Sequence, residues 1–69
     1  MSKFQIGDQI KVRAGAELKY PDQFKLTGTV VETADLPAYG EAIRIHWADQ
    51  EKAESSFSQA TLFEHIPLN

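Results

Sequence analysis

Leu26-Thr-Gly-Thr-Val-Val-Glu-Thr33, a connection Ala34-Asp-Leu-Pro-Ala-Tyr-Gly40, and Glu41-Ala-Ile-Arg-Ile-His-Trp-Ala-Asp49 decide how this chain folds. The first arm carries Thr29, Val30, Val31 and Thr33, whose branched Cβ atoms suit a pleated surface better than a helix. In the second arm Ile43, Ile45 and Trp47 alternate with Arg44 and His46, the period of two that marks a strand with one face in a core and one in water. The two arms therefore read as an antiparallel hairpin. Its register is firmly specified, because a slip of one residue would bring Arg44 and His46 inside and put Ile45 and Trp47 in solvent.

Outward from the hairpin, Phe4 and Ile6 are in phase, Gly7-Asp8 interrupts the alternation, and Ile10 and Val12 resume it. Gly7 tolerates a positive φ and Asp8 can accept from nearby amides, so a turn is expected there, followed by a strand over 9–14 with Lys11 and Arg13 facing solvent. Residues 15–24 lose the alternation and place Pro21 after Tyr20, which predicts a long loop with Leu18 and Phe24 tucked beneath it as anchors. Beyond the hairpin, a turn over 48–52 lacks the glycine usual in two-residue hairpin turns, so a longer or type I turn is expected. A strand over 53–57 would place Ala53, Ser55 and Phe57 on one face. Ser58-Gln-Ala-Thr61 reads as a polar corner with one 3₁₀ turn, Leu62 to Ile66 as a short last strand, and Pro67 as its end.

The reading is thus all-β: five short strands and one 3₁₀ turn before the last strand, in a single domain over residues 1–69. A domain of 69 residues buries only about 60% of the surface of its unfolded chain. There is no cysteine and no metal-spaced histidine pair, so packing alone must supply the stability. No apolar run approaches the ~20 residues of a membrane span, and Met1-Ser-Lys-Phe-Gln5 lacks a signal-peptide core, which together predict a cytoplasmic protein with no membrane partner.

The order of elements, and the phrases Phe4-Gln-Ile-Gly-Asp-Gln-Ile-Lys-Val12, Leu26-Thr-Gly-Thr-Val-Val-Glu32 and Ile43-Arg-Ile-His-Trp-Ala-Asp49, resemble the SH3-like β-barrel superfamily. Similar phrases occur in the barrels of nitrile hydratase β subunits, of small photosynthetic electron-transfer accessory subunits and of Tudor- and KOW-like modules. The resemblance implies a small five-stranded SH3-like barrel that binds or accompanies another macromolecule. Gly7-Asp8-Gln-Ile-Lys11 with Ala14-Gly-Ala16 also resembles the type II dihydrofolate reductases, SH3-like barrels that form a tetrameric pore. Their pore uses a Val-Gln-Ile-Tyr segment where this chain has Ala53-Glu-Ser-Ser-Phe57, so that resemblance implies no catalytic residue here.

The residues themselves offer little catalytic chemistry. His46 and His65 are the only unforced general bases, and each reads as a surface histidine on a strand. Glycines at 7, 15, 28 and 40 are scattered rather than gathered into a phosphate loop. Asp49, Glu51 and Glu54 surround one turn without the spacing of a calcium loop. No enzyme, cofactor or metal is expected from this pattern, although an oligomer with a shared pore would be a third reading.

Two binding readings come first. Tyr20 and Pro21 in the long loop, with Lys19 at their rim, and Pro37 and Tyr39 in the hairpin connection would form an aromatic and proline shelf suited to a protein partner, if both loops meet at one end of the fold. The alternative is a basic face of Lys11, Arg13, Arg44 and Lys25 for nucleic acid or a ribosomal surface, with phosphates on charge and bases on neighbouring rings. The chain carries a net charge of −3, but residues 1–25 hold five basic against three acidic side chains and the remainder two against seven. Overall acidity ranks the nucleic-acid reading second.

Overall fold

The computed structural model describes residues 3–21, 25–38 and 40–66. Five strands form one antiparallel sheet: β1 Gln9–Val12, β2 Thr27–Leu36, β3 Gly40–Trp47, β4 Ser58–Gln59 and β5 Phe63–His65, in the order β4-β3-β2-β1-β5. A 3₁₀ turn, Ala60–Leu62, separates β4 from β5. Among the described residues no helix is long and apolar enough to cross a membrane.

β4 and β5 are opposite edges of the sheet, yet three residues join them. Laid flat, five strands would hold their edges about 19 Å apart, whereas one 3₁₀ turn advances only ~6 Å. The sheet is therefore curled, with its concave face closed over one core of Phe4, Ile10, Val12, Val30, Ile43, Ile45, Trp47, Ala60 and Phe63.

The central hairpin has the expected phase. Ile43, Ile45 and Trp47 are buried while Arg44 and His46 are half-buried on the other face. Its strands are longer than the sequence implies: pairing persists to Asp35↔Glu41 and Leu36↔Gly40, so the connection shrinks to residues 37–39. Gly40, with φ of 73°, supplies the left-handed residue that turns the chain into β3. Between Val30 and Glu32 the register shifts, leaving Val31 without a partner on β3. Such a bulge increases local twist, which suits a ten-residue strand that must bend with the curled sheet. The alternating pattern of β3 carries no trace of it.

Gly28 lies opposite Trp47 in the ladder. A Cβ there would meet Ile45 Cγ2 at 2.6 Å and Trp47 Cε3 at 3.1 Å. The two large side chains of β3 thus occupy the space above the bare backbone of β2, and glycine is required by close approach rather than by its φ.

Four local expectations need correction. β1 ends at Val12: its pairing with β2 stops at Lys11 and with β5 at Val12, and Arg13 donates its amide to Leu62 O of the 3₁₀ turn at 3.0 Å. The fourth strand is at 58–59, not 53–57: Glu54 N still donates to Ile45 O of β3 at 2.9 Å, but the ladder with β3 is made by Ser58 and Gln59, while Glu54 turns its carboxylate to Trp47 Nε1 and its carbonyl to Arg44, and Ser55 is exposed. The 3₁₀ turn accordingly starts at Ala60 and takes in Leu62, so β5 begins at Phe63. Ile6, in phase with Phe4 by sequence, is 70% exposed, since the chain is already turning. Asp8 N donates to Gln5 O and Gly7, at φ 98°, donates to Val30 O.

Candidate docking site on the first connection

The connection after β1 is shaped by short turns. Gly15 has φ of 99°, and its amide donates to Glu17 Oε2 at 2.8 Å. Ala16 N donates to Arg13 O, Lys19 N to Ala16 O and Tyr20 N to Glu17 O. Two side chains anchor this segment: Ala16 is buried in the core cluster, and the Tyr20 ring leans on Phe63 with centroids 5.3 Å apart.

Between those anchors Leu18 stands at the crest and is 97% exposed. The expectation that it tucks beneath the loop is overturned. Ala16 and Tyr20 take the inward positions, and consecutive i to i+3 turns leave the residues between them pointing away. Phe24, the other expected anchor, lies outside the described residues.

Lys19 and Tyr20 form one side of a groove of about 180 Å³ whose remaining lining is Phe57, Ser58, Gln59 and Leu62. The curl of the sheet creates this groove, since it brings β4 and the 3₁₀ turn up to the loop. Of the residues expected to make a protein-binding shelf, Lys19, Tyr20 and Pro21 are contiguous here, with Lys19 and Pro21 exposed and Tyr20 half-buried. Pro37 is exposed at the β2–β3 tip, at the other end of β2 from Thr27, where the first connection enters. Tyr39 lies outside the described residues. Leu18, Phe57 and Leu62 were missing from the sequence-based shelf. The available signal was a leucine in a stretch without periodicity, flanked by Glu17 and Lys19.

The basic residues of the alternative face are partly engaged. Arg44 Nε donates to Glu32 Oε1 at 2.9 Å and its Nη1 to Glu54 O at 3.3 Å. Arg13 Nη1 donates to Thr61 O at 3.3 Å. Lys11 sits opposite Thr27 on one side and Glu64 on the other. Lys25 is exposed just before β2.

A larger cleft, about 610 Å³, is elsewhere, lined by Trp47 and residues 49–54. Trp47 is only 1% exposed, so the indole is committed to the core and to Glu54. Long charged side chains form its walls, and ordering and desolvating them opposes binding. His46 Nε2 donates to Gln50 O at 2.8 Å. Among the described residues no three His, Asp or Glu side chains converge as metal ligands.

His65 Nε2 lies 2.9 Å from Asp8 Oδ2, and its ring stacks on Phe4 with centroids 4.5 Å apart. The Asp8 carboxyl is held below its ordinary 3.8, first by the amide of Gln5 and then by His65. A depressed carboxyl stabilises the fold above its unfolded pKa, and that contribution disappears as pH falls through the folded value. Asp8→Asn is therefore expected to lower the urea midpoint at about pH 6 and to match the parent at about pH 2. A deficit that persisted unchanged at the acid end would show that Asp8 acts through shape rather than charge.

No family model, curated protein or solved structure matches this chain.

Proposed function

We propose that this protein is a small non-catalytic binding module of the SH3-like barrel type, serving as a docking domain or accessory subunit for another protein. The observation that carries the proposal is Leu18, a large apolar side chain left 97% exposed on a loop fastened at both ends by buried or half-buried groups. A side chain held so costs stability nothing to cover and offers apolar area to a partner without first ordering the loop. Lys19 and Pro21 supply the surrounding rim, and the groove beside Tyr20 supplies a place for a partner side chain.

Leu18→Ser is expected to leave thermal stability within the range of an ordinary surface change, about 0.5 kcal/mol. It should lower retention of the partner in quantitative pull-downs from the native cell at least tenfold, about 1.4 kcal/mol. Tyr20 is the poorer probe, because its ring packs on Phe63 and truncation would perturb the fold as well. Retention unchanged by Leu18→Ser but abolished by Lys11→Ala, Arg13→Ala or Arg44→Ala, and sensitive to salt, would replace the proposal with the nucleic-acid reading.

A further inference from the structure

Resting on that docking reading, we infer that the partner presents an extended acidic and apolar segment, which adds as a strand to the free edge of β4 and lays side chains into the groove beside Tyr20. Three observations converge on this occupant.

The first is the edge itself. β4 pairs with β3 through Ala42↔Gln59 and Ile43↔Ser58 and is the terminal strand of the sheet. Among the described residues its other side carries no strand, and an unpaired edge is a template for a chain in β conformation. The second is size. The groove of about 180 Å³ lies directly against Ser58 and Gln59. A helix is ~10 Å across with its side chains and needs a wider trough, whereas a strand sits ~4.8 Å from its neighbour and sends alternate side chains to one face. One apolar side chain fits beside Tyr20, Phe57 and Leu62, all half-buried, with Ser58, Gln59 and Lys19 completing a lining of mixed polarity.

The third is charge. The described charged residues of this connection are Arg13, Glu17, Lys19 and Lys25, and Lys19 is the one that lines the groove. Among the described residues Lys19 makes no salt bridge, while Arg44 and Asp8 have theirs. The acidic side chains that dominate the second part of the sequence, from Glu32 to Glu64, do not line this groove. A carboxylate on the incoming segment would meet Lys19 at the rim, and a basic side chain there would be repelled.

The test uses a displayed library of random twelve-residue peptides selected on the intact protein. Enriched peptides, resynthesised, are followed by amide hydrogen exchange and by titration against the parent, Leu18→Ser and Lys19→Glu. The expected result is enrichment of Asp or Glu two residues from an apolar position, slowed exchange at the one of Ser58 and Gln59 whose amide points away from β3, and at least tenfold weaker binding to Lys19→Glu. Peptides that lose binding with Leu18→Ser but leave Ser58 and Gln59 exchange unaltered, or show no acidic preference, would overturn strand addition while keeping the docking reading. Peptides indifferent to both Leu18→Ser and Lys19→Glu would overturn both, as would a library yielding none. Concentration-dependent dimerisation with the same protection at β4, in the absence of peptide, would overturn the separate partner in favour of a second copy of this chain.

Discussion

Trp47→Ala is expected to leave the domain largely unfolded at room temperature, with a loss of about 3–5 kcal/mol. At ~0.05–0.15 kcal/mol per residue a chain of this size has roughly 3–10 kcal/mol in all. Several terms combine at this one side chain. It is 1% exposed, its ring lies 6.0 Å from that of Phe63, and it fills the space that Gly28 leaves free. With no side chain on Gly28 to move into the void, the site has little means of collapsing, and the cavity term should stay near its upper range. The indole also donates to Glu54 Oε1 at 2.9 Å, a bond that fixes the course of the chain between β3 and β4. Urea denaturation followed by circular dichroism measures the loss. A midpoint close to that of the parent would mean that the other face of β3 is the buried one, with Arg44 and His46 turned inward.

Phe4→Ala should be nearly as damaging, about 3–5 kcal/mol, although Phe4 lies outside every strand. The residue is 1% exposed. It is delivered to the core by the turn over 5–8, where Gly7 N donates to Val30 O, Val30 N to Asp8 O, and Gln5 N to Asp8 Oδ2. Its own amide donates to Glu41 Oε2 at 3.0 Å, so the segment is fastened to β3 as well as β2. The pairing with the His65 ring then closes the region where β1 meets β5. Thermal unfolding of Phe4→Ala beside Ile6→Ala separates the two in-phase residues: Ile6 is 70% exposed and its truncation should fall within about 0.5 kcal/mol. Equal effects at both positions would show that the leader packs as a continuous strand instead of as a turn.

The contrast between Phe4 and Ile6 marks where alternation stops being informative. Period-two reasoning presumes extended backbone, and Gly7 has already ended it. The same limit applies at Leu18. A leucine outside any periodic stretch gives no sign of its direction, and here Ala16 and Tyr20 take the inward places. Conversely, the shelf expected from Tyr20, Pro21, Pro37 and Tyr39 was legible as residue types suited to recognition, but not as a surface. Tyr20 shares its groove with Phe57 and Leu62, more than 30 residues further along the chain, a proximity that arises from the curl of the sheet.

From sequence alone came the all-β class, the central hairpin and its phase, the turn at Gly7, and a 3₁₀ corner before the last strand. Those features are local. They depend on side-chain alternation over a few residues and on the backbone freedom of particular glycines, and both can be read along a line. Tertiary structure decided the bulge at Val31, the displacement of β4 to Ser58–Gln59, the burial of Phe4 and the exposure of Leu18. Each of these is settled by competition among segments distant in sequence. Glu54 is held by Ile45, Trp47 and Arg44 while the ladder itself forms at Ser58 and Gln59, β2 bends so that the two edge strands can be joined by three residues, and the inner space, once filled by Ala16 and Tyr20, has no place for Leu18.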